Sequence, residues 1–361
     1  MVTSPELDGP VRAVVVGAGQ AYPDTERQDV LWDGFFANHF GGSRLAKRIF
    51  SSSGVVTRHG VANPLVDDVS GWTTEARMQR YVTEAMPLGK DAVAAALGAA
   101  ALPASEVGMF VVASCTGYTT PGIDIRLARD LGMGNDVQRL FVGHMGCYAA
   151  IPALGAASDF VVARRRPAVL LCLELTSLHV QPPTTDPQQL VAHALFSDAA
   201  AAVVLRPVPT AIAGPAGYEV VDVAAQTDAA TADHMTWDVT DLGFRMGLSP
   251  RVPDVLAEHV GPMVTGLLDR HGLTVADVAG WAVHPGGPRI IDVVAAELGL
   301  PADAVDVSRE VLAEHGNCSS ATVLMVLDAL RRTRPTRPGG YVIALAFGPG
   351  LTLYTTLLRA T

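Results

Sequence analysis

The stretch FVGHMGCYAAIPALGAASDFVVA, residues 141–163, places one cysteine, Cys147, between a glycine-containing approach and a long apolar run. The run reads as a helix with Cys147 in its first turn. Backbone N–H groups at a helix start lack partners and carry partial positive charge. That charge lowers a thiol pKa and raises the thiolate fraction. Gly146 lets the chain turn sharply before Cys147, and Ala149 and Ala150 keep the helix face thin enough to leave room for a substrate. Free cysteines are also among the most buried residues, so core packing is the competing reading.

Outward from this stretch, strand-like and helix-like segments alternate. VRAVVVGAG (11–19), VGMFVVASCTG (107–117), AVLLCLEL (168–175), AAAAVVL (199–205), YEVVDVAAQ (218–226) and VAGWAV (278–283) read as strands. Helices are expected over 88–102, 125–131, 253–272, 288–300 and 319–332, and two strands over 341–359 close the chain. Alternation of this kind points to an α/β fold of layered sheets. Both halves set a helix directly after a glycine-containing turn, which suggests a duplicated architecture without a plain sequence repeat. VGAGQA after the first strand lacks the third glycine and the downstream acidic residue of a dinucleotide fingerprint. The stretch 331–340, RRTRPTRPGG, reads as a solvated loop.

Composition narrows the class. With 361 residues, 49% of them hydrophobic and 17% charged, the chain can bury a large core in two domains or one two-part fold. No apolar run reaches the roughly 20 residues of a membrane span. The start, MVTSPELDGPVR, shows no signal-like block, and a cytoplasmic protein with no membrane partner is expected. Four scattered cysteines do not make a disulfide framework, and the absence of CxxC or HExxH argues against a metal. A net charge of −10 argues against nucleic-acid binding, so an anionic ligand would need a local basic patch.

Two more sites join Cys147. WAVHPGGPRII puts His284 at the carboxyl end of an apolar strand, before a tight Pro-Gly-Gly turn, where α/β sheets form their crevice. EHGNCSSATVLMVL puts Asn317 just ahead of another helix. Each has a structural alternative, a hydrogen-bonded core histidine or a helix cap. Together, thiol, imidazole and amide make a nucleophile, its base and an oxyanion stabiliser. The order Cys, His, Asn also occurs in papain-like proteases. Those carry a Cys-Gly-Ser-Cys-Trp type stretch near the mature N-terminus, and this chain has none.

GHMGCYAA, HPGGPRIID, HGNCSSATVL and AFGPGLT resemble the corresponding motifs of type III polyketide synthases, the chalcone synthase-like branch of the thiolase superfamily. SCTGYTTPGIDIRL, ELTSLHVQP, ALFSDAAAAVVL and TDLGFRMGLSPRVP support the resemblance, in family order from Val11 to the C-terminus. HMGCYA and TSLHVQP look most like actinobacterial alkylpyrone and alkylresorcinol synthases. The resemblance implies a thiolase-like five-layered αβαβα fold with two related halves, residues 1–212 and 213–361, and a homodimer. It implies an acyl-CoA starter loaded on Cys147 and malonyl-CoA or methylmalonyl-CoA as extender, with CoA thioesters as substrates and no cofactor. His284 would keep Cys147 as thiolate, and His284 with Asn317 would hold the malonyl thioester carbonyl. Phe196 matches the gatekeeper between CoA tunnel and cavity. Cys115, Thr120, His179, Trp237, Met246 and Ser319 match cavity positions. Arg48, with Lys47 and Arg44 on one helix face, matches a CoA phosphate site. His179 and Trp237 are larger than their plant counterparts, and Cys115 replaces a threonine, so plant-type chalcone formation is not expected. Iterative condensation ending in a pyrone or resorcinol-type ring is the implied activity. A single condensation of the ketoacyl-ACP synthase III type is the alternative.

Overall fold

The computed structural model describes residues 9–361; the N-terminal stretch read above for a signal lies mostly outside the described residues. Strands are β1 (Val11–Ala21), β2 (Thr25–Arg27), β3 (Thr57–His59), β4 (Met109–Ala113), β5 (Gln138–Val142), β6 (Ala168–Glu174), β7 (Ala199–Pro209), β8 (Tyr218–Thr227), β9 (Met235–Thr240), β10 (Gly243–Leu248), β11 (Val278–Val283), β12 (Tyr341–Gly348) and β13 (Thr352–Ala360). Nine of them hydrogen-bond in the order β11-β12-β13-β8-β1-β7-β6-β4-β5. β1 and β8 join through only two residue pairs, Val14–Glu219 and Val15–Tyr218. The join divides the sheet into β5-β4-β6-β7-β1 and β11-β12-β13-β8. Both arms contain a parallel pair and end in antiparallel neighbours that lead to the join.

The arms fold back around two central helices, Ala150–Arg164 and Ser320–Thr333. One core cluster holds both helices with strands of both arms, from Val111 and Leu170 to Ala344 and Leu358. The outer face of the first arm packs on the helix Thr74–Ala99, and that of the second on Val252–Asp269 and Pro288–Glu297. Helix, sheet, helix pair, sheet, helix is the expected αβαβα layering. A helix covered on both sides must be apolar all round. That accounts for the long apolar run after Cys147. The stretch Gly146–Arg164 is long and apolar enough to cross a membrane, which the sequence reading had not credited, but two thirds of it is buried within the fold. Ala149, Ala150, Ala153 and Ala157 are all buried on it and let the two sheets approach.

Four differences from the sequence reading have local causes. The helix expected over 88–102 begins fourteen residues earlier, at Thr74, capped by the Thr73 hydroxyl accepting from Ala76 N–H. Pro87 inside it, which removes a helix hydrogen bond, hid that continuity. β5 went unread because it is an exposed edge strand of mixed polarity. The hairpin β9–β10 covers the site rather than joining the main sheet, so only one of its faces is apolar. Helices Pro187–Leu195 and Asp306–His315 are short and lead into Phe196 and toward Asn317.

Candidate active site

The carboxyl ends of the strands and the starts of the two central helices meet at one chamber of about 520 Å³. Cys147, His284, Asn317, Phe196, Met246 and Phe347 all line it. Cys147 sits in a single 3-10 turn, Gly146–Tyr148, that feeds the helix Ala150–Arg164. Gly146 has φ +69°, and a Cβ there would stand 2.9 Å from Pro349 Cδ. A Cβ at Gly348 would stand 2.9 Å from the Tyr148 ring. The FGPGLT loop is glycine-rich because it packs directly on the cysteine's turn.

His284 continues the β11 ladder, its N–H donating to Leu345 O at 2.8 Å. The ring is fully buried, edge-on to Phe347 at 5.7 Å, and among the described residues neither of its nitrogens has a hydrogen-bond partner. A buried polar atom left free is costly and marks a place where something else binds. Asn317 is held by its backbone: its N–H donates to Leu195 O at 2.8 Å and its C=O accepts from Ser197 N–H at 3.0 Å. Its Oδ1 accepts from Ser319 N–H at 2.9 Å, which turns the amide NH2 toward the Cys147 thiol.

Burial governs the charges. It pushes the Cys147 thiol up to about 12, opposed by the Ser319 hydroxyl and the Asn317 amide. The sequence reading expected the helix start to lower this pKa; desolvation in the closed chamber outweighs it. Burial also holds His284 down to about 3. With the chamber closed, thiol and imidazole are both neutral, and a single charge on either is disfavoured.

Phe196 pairs with Asn317 in an isolated parallel bridge, which ties the backbones of the two residues together. The phenylalanine separates the main chamber from a smaller cavity of about 70 Å³ behind it. His179 lines that rear cavity with both nitrogens in use: Nε2 donates to Thr116 O at 2.7 Å and Nδ1 accepts from Phe244 N–H at 2.9 Å. Trp237 donates from Nε1 to Cys115 O at 2.8 Å and closes the rear cavity. Beyond the indole lies a third cavity of about 660 Å³, lined by Cys115, Thr120 and Trp237 with Tyr118 and Phe141. Of the expected cavity residues, Met246 alone shares the chamber with Cys147, His284 and Asn317. Ser319 lies beneath it, its Oγ 3.6 Å from Cys115 Sγ.

Arg44, Lys47 and Arg48 are exposed on the helix Arg44–Ser52. None lines the chamber; Ile49 and Ser52 of the same helix do. Arg44, Arg48 and Ser52 are spaced four apart on one ridge, which carries the two guanidinium groups outward from the mouth. Lys47 faces a separate groove beside Trp32.

Two residues escaped the sequence reading. Arg289 lines the mouth, with Asp254 3.5 Å away. Glu174 is fully buried and accepts from Cys115 N–H at 3.0 Å, Thr116 Oγ1 at 2.8 Å and Ser320 Oγ at 2.5 Å. Burial raises its pKa against those hydrogen bonds. One carboxylate in an otherwise apolar strand, AVLLCLEL, was the available signal.

A sheet wrapped on two helices, with thiol, imidazole and amide in one apolar chamber, defines a thiolase-type condensing enzyme. Sequence models of the N- and C-terminal domains of chalcone and stilbene synthases match residues 46–209 and 220–361. The chain is 37% identical over 318 residues to 1,3,6,8-tetrahydroxynaphthalene synthase of Streptomyces peucetius subsp. caesius, covering 87% of this chain and 83% of that protein. It is 32% identical over 314 residues to the alpha-pyrone synthesis polyketide synthase-like Pks18 of Mycobacterium tuberculosis, covering 85% and 80%. Among solved structures, PKS-I of the brown alga Ectocarpus siliculosus superimposes with a TM-score of 0.89 at 28% identity, over 98% of this chain and 100% of that one. The C-terminal type III domain of Steely1 from Dictyostelium gives 0.90 at 27%, over 97% and 99%. The chain belongs to the chalcone and stilbene synthase family. It is a type III polyketide synthase, and therefore an acyltransferase.

Proposed function

We propose that Cys147 takes an acyl group from an acyl-CoA starter and that His284 and Asn317 drive decarboxylation of malonyl-CoA or methylmalonyl-CoA beside it. The observation that carries this reading is the unpartnered His284 ring, facing the same chamber as Cys147 and an oriented Asn317 amide. Transfer of the thiol proton to His284 turns two disfavoured single charges into one ion pair, and the thiolate attacks the starter thioester with loss of CoA. Loss of CO2 from the malonyl thioester leaves an enolate whose charge sits on the thioester oxygen. Donors from His284 and Asn317 stabilise that oxygen, each worth about 3–4 kcal/mol or 10²–10³ in rate. The enolate carbon attacks the Cys147 thioester and expels the thiolate, lengthening the chain by two carbons. The electron pair for the new C–C bond is that of the C–C bond broken when CO2 leaves, so the condensation calls on no resident cofactor.

Reloading on Cys147 makes the cycle iterative, and folding of the poly-β-keto chain gives a pyrone or resorcinol-type ring. Phe196 acts as the gate, and Arg44 and Arg48 receive CoA phosphates at the mouth. The chain divides near residue 212 into two related halves. It works as a homodimer through the exposed edge strand β5, where Phe141 and nearby Tyr118 leave apolar surface uncovered. Four free cysteines and CoA thioester substrates suit the cytoplasm.

The test is incubation with a series of acyl-CoAs and malonyl-CoA, with products followed by mass. Pyrones or phenols support the reading. A single β-ketoacyl product that forms only on a carrier protein supports the one-step alternative.

A further inference from the structure

Two residues before Asn317, the ring of His315 meets the ring of His59. His59 Nε2 and His315 Nδ1 are 2.9 Å apart, with ring centroids at 5.2 Å. Tyr22 stacks on both rings, at 4.5 Å from His59 and 4.6 Å from His315. Thr25 Oγ1 lies 2.9 Å from His59 Nδ1, so both nitrogens of His59 are engaged. Neither histidine lines the chamber.

The backbone of these residues does reach the site. His59 N–H donates to Ser197 Oγ at 2.8 Å, and His59 O accepts from Asp198 N–H at 3.1 Å. Those two residues directly follow the gate, Phe196. His315 ends the helix Asp306–His315, and Gly316, at φ +72°, turns the chain straight into Asn317. The ring pair thus ties the segment after the gate to the segment before the amide.

We propose that His59 and His315 are positioning residues for Asn317: their one ring-to-ring hydrogen bond, braced by Tyr22, keeps the amide in register with Phe196, and double protonation releases it. The inference rests on the reading that Asn317 donates to the thioester oxygen.

A nitrogen-to-nitrogen bond needs one donor and one acceptor. Two neutral rings supply them, and so does one neutral ring with one cation. Two imidazolium rings face donor against donor and repel. The charged and titratable neighbours come from four segments. Asp24, just before β2, and Glu26, within it, line the rear cavity with His59. Glu314 lies 3.8 Å from His315 Nε2. Arg332 acts on His315 and on Tyr22, and Asp328 and Cys318 act on Tyr22. Burial, then the neighbouring His315, push His59 down to about 4; burial lowers His315, with Glu314 opposing. Both folded-state pKa values lie below the free value, so the closed pair favours neutral rings. It loses stability as pH falls below about 6.5.

The experiment compares wild type, His315→Ala, His315→Asn and Asn317→Ala. It measures kcat and KM for malonyl-CoA decarboxylation from about pH 3.5, just below the His59 value, to about pH 8, acyl loading of Cys147, and thermal melting. His315→Ala should lower kcat about 10-fold with KM within about 2-fold and with acyl loading intact. His315→Asn keeps a neutral partner for His59 that takes no proton. It should recover kcat at about pH 7.5 to within about 3-fold, and lose less of it than wild type as pH falls to about 4 and below, where His59 also takes a proton. Wild-type kcat in a folded His315→Ala protein overturns the proposal, as does a His315→Asn profile identical to wild type. If His315→Ala does not fold, the pH comparison with His315→Asn decides alone. Normal decarboxylation by Asn317→Ala removes the reading of Asn317 and this inference together. A slow Asn317→Ala beside a normal His315→Ala removes only the inference.

Discussion

Replacing Gly316 by alanine should separate acyl loading from decarboxylation. Gly316 has φ +72° and ψ −171°, a region that side chains avoid at a cost of about 1–3 kcal/mol. A Cβ there would stand 2.8 Å from Ser197 Cβ and 3.1 Å from Leu195 O. Neither atom can swing aside, because one is the root of a side chain and the other is backbone. Restoring ordinary contact at about 3.5 Å needs a shift of about 0.7 Å. The shift falls on the Phe196–Asn317 bridge, since Ser197 and Leu195 are Asn317's own backbone partners. Misplacing a reacting group by about 1 Å costs about 100-fold, so 0.7 Å should cost roughly 10- to 100-fold in decarboxylation. Cys147 lies on a different segment and should still accept starter at close to the wild-type rate. The assay pairs CO2 release from malonyl-CoA with single-turnover acylation followed by intact mass. A folded Gly316→Ala enzyme with both rates unchanged would refute the reasoning.

Three more outcomes follow from the same structure. His284→Gln removes the base that would take the Cys147 proton, so the pH at which the thiol becomes alkylated should rise, read by iodoacetamide labelling across pH; an unchanged profile would show that the imidazole does not carry the thiolate. Arg77, wholly buried, donates to the carbonyls of Trp72, Leu178, Val180 and Ser70, so Arg77→Met should cost about 3–4 kcal/mol in denaturant unfolding; a loss under about 1 kcal/mol would contradict that role. Arg44→Glu with Arg48→Glu should raise KM for malonyl-CoA several-fold, less so at high salt, and leave kcat near wild type; a salt-independent or absent effect would remove the ridge from the CoA path.

The sequence carried the layering because the buried strands are nearly unbroken apolar runs and the central helices are apolar over most of their surface. VRAVVVGAG with its one arginine, AVLLCLEL with its one glutamate and the Cys147 helix are such segments. Elements with one wet face, β5 and the β9–β10 hairpin, lacked that pattern and went unread. Cys147, His284 and Asn317 were legible because each stands within two residues of a closely packed glycine, Gly146, Gly286 and Gly316, two of which hold a positive φ. The partition of the interior was not legible. It depends on where the Trp237 indole points, and that is fixed by a bond to Cys115 O that no local pattern announces. The thiol's pKa was misread for a related reason. A helix start is visible in a sequence, whereas the closure of the chamber over it depends on segments up to 200 residues away.

The most direct test of the account is the site of acylation. Wild-type protein incubated with one acyl-CoA and no extender should gain a single acyl mass, mapped by peptide digestion to Cys147, and Cys147→Ala should gain none. An adduct on Cys115, Cys172 or Cys318, or loading that survives in Cys147→Ala, would contradict it.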